Sequence, residues 1–150
     1  ARYRSEFFGR LREVLGDRQD IRIVGDRFVF QSEVLFASGQ AVLGDAGRAQ
    51  IDSLAETLKE LIPQIPEGID WVLQVNGHTD KRPVVSSAYP SNWELSQARA
   101  LSVVRALIAD GIPPERLVAA GYAEFQPLDP ADTEEAYAQN RRIEIKLTER

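Results

Sequence analysis

Two stretches decide how this chain folds: WVLQVNGHTD at residues 71–80 and SNWELSQARALSVVRALIADG at residues 91–111. In the first, Trp71, Leu73 and Val75 alternate with Val72, Gln74 and Asn76, the period-two pattern of a β-strand with one side on a core. The strand leads directly into Gly77-His78-Thr79-Asp80. In the second, Ser91 and Glu94 form an S-x-x-E capping box, in which each side chain is expected to satisfy the other residue's backbone N–H. Leu95, Ala98, Leu101, Ser102, Arg105, Leu107 and Ile108 carry this helix to Asp110, where Gly111 closes it. An irregular loop, Lys81 to Pro90, joins strand to helix.

Working outward, Ile51, Leu54, Leu58 and Leu61 share one face of a predicted helix from about Asp45 to Ile62, ended by Pro63 and Pro66. Before it, Ile21, Ile23, Phe28 and Phe30 alternate around Gly25-Asp26, which predicts a β-hairpin. Phe7, Leu11, Val14 and Leu15 place an amphipathic helix at the N-terminus, stopped by Gly16-Asp17. Downstream, Leu117 to Ala120 predicts a short strand, Glu124 to Glu135 an acidic loop, and Arg142 to Leu147 a last strand that buries Ile143, Ile145 and Leu147. Helices alternating with strands in this order predict an α/β fold, a two-layer sandwich with helices on one face of a mixed sheet. An N-terminal helix and linker, residues 1–20, precede a main domain at 21–150.

The bulk composition narrows the function. The chain has 150 residues, 43% apolar and 27% charged, enough for a core without metal or disulfide support. A formal charge of −5 argues against nucleic acid as partner. With no cysteine, thiol chemistry and a zinc knuckle are excluded. No apolar run reaches the roughly 18 residues that a membrane helix needs. The chain lacks methionine even at its start, so it reads as a piece of a longer protein whose targeting segment lies elsewhere.

Asp80 lies just past a strand, the next helix opens at Ser91-Asn92, and Arg99 follows about two turns in. A carboxylate, a helix N-terminus and a guanidinium can meet there in one cleft. The carboxylate would take an ammonium group, while the arginine and free N–H groups would take a carboxylate. The bland alternative stands beside this reading. An Asp after a strand is ordinarily a turn former, an Arg on a helix a solvated charge, and an Asn at a helix start a cap.

GHTD, the run from Ser91 to Glu124, and NRRIEIKL at 140–147 together resemble the peptidoglycan-binding domain of the OmpA C-terminal type. The core of the likeness is N-x-x-L-S-x-x-R-A-x-x-V: Asn92, Leu95, Ser96, Arg99, Ala100 and Val103. It extends over about Leu35 to Leu147, with Leu35-Phe36-Ala37-Ser38-Gly39 similar to the family's first motif. The long Pro-containing loop before Ser91-Asn92-Trp93-Glu94-Leu95 is closest to the MotB-like branch. The resemblance implies a non-catalytic domain that binds the diaminopimelate of the cell-wall stem peptide. Asp80, Arg99, Asn92 and Arg141 fall on the family's ligand-contacting positions, with Thr79 and Leu95 beside them. It further implies a periplasmic location and a parent protein anchored in the membrane by a segment outside residues 1–150. No cofactor or metal is implied.

Arg141 competes for its role with Arg142, since strand alternation sends neighbours to opposite faces. Lys81 and Arg82 read first as charges that face water, with contact to the carboxylates of the wall as the alternative. Two other functions are weighed. His78, the single histidine, suggests a wall amidase or peptidase, but a zinc site needs more ligands at recognisable spacing and no nucleophile elbow is present. A structural module is the third, dimerising through Phe7, Phe8, Leu11 and Leu15. Trp71 reads as core and Trp93 as a residue able to stack on sugars.

Overall fold

The computed structural model describes residues 2–15, 21–84 and 88–150. Five strands form one mixed sheet: β1 (Ile21–Val24), β2 (Arg27–Gln31), β3 (Trp71–His78), β4 (Leu117–Gly121) and β5 (Arg142–Glu149). Their order is β1-β2-β5-β3-β4, with β3 and β4 parallel and the other pairs antiparallel. The expected hairpin is present, and Gly25 at its turn takes φ +62°, a conformation costly for a side chain bearing Cβ.

Helices α1 (Arg2–Leu15), α3 (Asp45–Leu61) and α4 (Asn92–Ala109) supply the second layer. Between the layers lie Phe28 and Phe30 of β2, Trp71, Leu73 and Val75 of β3, and Ile143, Ile145 and Leu147 of β5. Ile51, Leu54, Leu58 and Leu61 meet them from α3. Fully burying such a side chain contributes about 1.5–3 kcal/mol each. The N-terminal helix puts Phe7, Phe8 and Leu11 into this same core, with the Phe8 ring stacked on Phe28 at 5.1 Å. Those three side chains are therefore spent on their own domain. The linker at 16–20 and the Val14 and Leu15 side chains lie outside what is described.

Helix α4 ends as the sequence predicts. Gly111 at φ +104° donates to the Ile108 carbonyl and Ile112 to that of Leu107, the paired bonds of a Schellman turn. Its start differs in detail. Ser91 Oγ accepts from Trp93 N–H, and serine and Glu94 also bond side chain to side chain. Two short helices escape the sequence reading: α2 (Ser32–Leu35), and α5 (Glu134–Asn140) within the expected loop and beyond it. Thr133 caps α5 by accepting from Ala136 N–H.

Glycine sets how closely α4 approaches the sheet. A Cβ on Gly77 would lie 2.1 Å from the Ser96 carbonyl oxygen, and one on Gly121 2.6 Å from Gln97 N. Neither fits without moving backbone. These contacts seat the first turns of α4 directly over the carboxyl ends of β3 and β4.

Candidate ligand-binding cleft

Three strand ends meet at one edge of the sheet. Register pairs His78 of β3 with Arg142 of β5, and Gln31 of β2 with the same Arg142. The residues just past those ends are therefore brought together: Glu33 after β2, Asp80 after β3, and Arg141 before β5. Helix α4 covers this edge with its N-terminus, and the segment 36–40 closes the far side. The result is a cleft of about 670 Å³. All six residues singled out in the sequence line it: Thr79, Asp80, Asn92, Leu95, Arg99 and Arg141.

At one end stands Arg99, only 5% exposed. Its Nε donates to the Gln40 carbonyl at 2.8 Å and Nη2 to that of Ala37 at 3.4 Å, while the guanidinium lies 5.2 Å from the Phe36 ring. No carboxylate among the described residues forms an ion pair with it. Burial pulls its pKa below the ordinary arginine value, and the fields of Glu33, Tyr89 and Asp80 offset that only in part. An arginine stays charged even so. Arg99 is thus a buried cation held by neutral carbonyls, short of the anion that would complete it.

At the other end stands Asp80, 6% exposed. Its Oδ1 accepts from the Arg82 backbone N–H at 2.9 Å. Oδ2 accepts from Arg82 Nε at 3.2 Å, Arg82 Nη2 at 2.8 Å and Arg141 Nη1 at 2.7 Å. Burial raises the carboxyl pKa, but the bonds from Arg82 and Arg141 outweigh it and hold the group below the usual carboxylate range. Arg141 also reaches Glu33, and that pairing and the Asp80 bond together raise its pKa against the effect of burial.

Asn92 is not the cap of α4, a role taken by Ser91. Its Nδ2 donates to the Arg82 carbonyl at 3.0 Å and to that of Asp80 at 3.4 Å, which ties the turn at 80–82 to the helix. Thr79 Oγ1 donates to the Asp80 carbonyl at 2.8 Å. The expectation that Arg82 merely faces water is corrected, while Lys81 stays half exposed. Lys81 pairs with Asp132, and Arg82 spans Asp80 and Glu134 with its guanidinium 4.6 Å from the Tyr137 ring. Among the cleft residues that the sequence reading left without a role are Glu33, Arg82 and Phe36. The acid at Glu33 sits two residues past the hairpin's second strand, a position that only the β2–β5 register reveals.

His78 lies elsewhere. It points to the opposite face of the sheet, 5% exposed, its ring stacked on Tyr122 at 5.0 Å. Arg142 and Glu144 share that face. Arg142 Nε donates to Glu144 Oε2 at 2.6 Å, and Arg27 Nη1 to Glu144 Oε1 at 2.9 Å. Burial, with Arg142 close by, lowers the His78 pKa to about 4. The imidazole is neutral at ordinary pH and separated by the sheet from the cleft. Among the described residues no group of three or more His, Cys, Asp and Glu could hold a metal.

A cleft with fixed charges at both ends, at one end of a mixed sheet, marks this chain as an α/β sandwich with a candidate ligand site. The pattern of the OmpA family matches residues 35–141, and the chain belongs to that family. The protein YtxE of Bacillus subtilis (strain 168) is 41% identical over 115 residues, covering 76% of this chain and 48% of that protein. Motility protein B of the same organism is 30% identical over 121 residues, covering 80% and 44%. Within the family the chain falls with the MotB-like branch. The solved structure of the cell wall anchor of the T6SS from Pseudomonas aeruginosa superposes with a TM-score of 0.80 at 30% identity, covering 94% of this chain and 98% of that one. The chain spans about half the length of the curated relatives it matches.

Proposed function

We propose that this domain binds peptidoglycan without cleaving it, and that it holds the diaminopimelate of the stem peptide in the cleft between Arg99 and Asp80. One observation carries the reading: Arg99 is a buried guanidinium with no ion-pair partner among the described residues, facing a cleft that is open to solvent. A ligand carboxylate would supply the missing anion in the bidentate geometry that arginine favours. The end of diaminopimelate that carries an amino group and a carboxylate on one carbon matches the two ends of the cleft. Membership of the OmpA family and the likeness to a cell wall anchor support the same ligand. The parent protein would then be tethered to the wall from a membrane, with this domain on the outer side of it.

Co-sedimentation with purified sacculi tests the reading. The domain should pellet with sacculi, and Arg99→Ala should stay in solution while remaining folded. Equal sedimentation of both proteins would remove Arg99 from the site. Release of soluble wall fragments by the domain would instead favour an enzyme, and His78 gives that alternative no support from inside the cleft.

A further inference from the structure

The anionic end of the cleft is not vacant. Asp80 Oδ2 accepts from three N–H groups, Nε and Nη2 of Arg82 and Nη1 of Arg141. A carboxylate oxygen has two lone pairs, so Oδ2 is fully taken, and an ammonium arriving at Oδ1, which accepts only the Arg82 backbone N–H, would stand beside two guanidiniums. The two arginines are held differently. Arg141 is three-quarters buried and anchored on its other side by Glu33. The Arg82 side chain is 48% exposed and rests between two seats. While Nε and Nη2 hold Asp80, Nη1 donates to Glu134 Oε1 at 3.3 Å and the guanidinium lies against the Tyr137 ring. If Arg82 lets go of Asp80, Glu134, Tyr137 and water still receive it. If Arg141 lets go, its own guanidinium stays in a largely buried place with Glu33 to hold it.

We propose that Arg82 is an internal competitor for the ammonium seat: it fills the place beside Asp80 in the free domain, and a ligand amine enters by displacing it toward Glu134 and Tyr137. The inference rests on the reading of the cleft given above. It assigns the two charged ends different duties. Arg99 takes the ligand carboxylate without any exchange. Asp80 accepts the amine only against a standing occupant, which lowers the apparent affinity by the fraction of molecules in which the seat is free. Asn92 contributes by gripping the Arg82 carbonyl, which sets where that side chain starts.

NMR titration of the domain with free meso-diaminopimelate, and with pimelate as the same dicarboxylate lacking both amines, separates the outcomes. With a seat filled in about nine molecules of ten, Arg82→Ala should bind diaminopimelate about tenfold more tightly than the unaltered domain. Pimelate should gain nothing. Arg82→Lys, which keeps the charge but loses the fork, should fall between. Weaker or unchanged binding of diaminopimelate by Arg82→Ala would overturn the proposal, as would an equal gain for pimelate. If the unaltered domain binds diaminopimelate and loses it on Arg99→Ala, while Arg82→Ala gains nothing, only the competitor role falls. If the unaltered domain binds neither sacculi nor diaminopimelate, the reading of the cleft falls and the competitor role goes with it. An unchanged unfolding midpoint for Arg82→Ala shows that the fold is intact.

Discussion

Arg141 and Arg142 are neighbours in the chain and serve opposite faces of the sheet. Arg141 Nη1 lies 2.7 Å from Asp80 Oδ2 in the cleft, whereas Arg142 Nε lies 2.6 Å from Glu144 Oε2 on the far side. Strand alternation makes the separation unavoidable. It divides the pair into a residue facing the ligand cleft and a residue of the folded interior. Arg141→Ala should therefore weaken sedimentation with sacculi and, because Arg82 still holds Asp80, cost less stability than the loss of Arg142. Arg142→Ala leaves Glu144 with half its partners in a buried place, and should cost about 3–5 kcal/mol in urea unfolding. The same loss in both variants would refute the division.

Gly77 predicts a steric failure. A methyl group there would meet the Ser96 carbonyl oxygen at 2.1 Å, so helix α4 or strand β3 must shift. Gly77→Ala should destabilise the domain by about 2 kcal/mol or more in urea unfolding, in the range of overpacked interiors. A wild-type midpoint would mean that the helix yields freely.

His78 gives the domain a pH dependence of known sign. Its folded pKa, about 4, lies below the ordinary value of 6.5. The unfolded chain therefore binds the extra proton between those values, and stability falls as pH falls through that window. The loss approaches about 3 kcal/mol near pH 4. Thermal melts between pH 7 and 4 measure it, and His78→Gln should flatten the slope. A profile identical in both proteins would assign the acid sensitivity to other groups.

Phe8 tests the duty of the N-terminal helix. Because its ring stacks on Phe28 within the core, Phe8→Ala should cost about 3–5 kcal/mol. Urea unfolding reads the cost, and sedimentation equilibrium reads the mass at the same concentrations. A change of mass with no change of stability would mean that the helix serves association between copies instead.

Much of this fold could be read from local signals. The hairpin turn at Gly25, the three long helices and the strands at 71 and 142 each carry a periodic pattern with a recognisable stop. What escaped was short or non-local. Four-residue α2 has no period to detect. The start of α5 at Thr133-Glu134-Glu135 was legible as a cap with acids in the first turn, but the surrounding acidic residues hid it. In the cleft, Asn92 and Arg99 stood out through one contiguous motif, and Asp80 through the GHTD that ends the preceding strand. Arg141 could not be separated from Arg142 until the face of β5 was known. Glu33 depended on a pairing between strands more than a hundred residues apart, and Arg82 on a contact that its charge alone made look like solvation.

The place of β3 in the sheet also matters mechanically. It is hydrogen-bonded along one edge to β5 and along the other to β4, and Asp80 lies two residues past its end. Tension applied at Asp80 along the strand axis would load both ladders in shear, with many bonds sharing the force, where an edge strand pulled sideways would open one bond at a time. The cleft is thus mounted on the part of the sheet best placed to resist being drawn out.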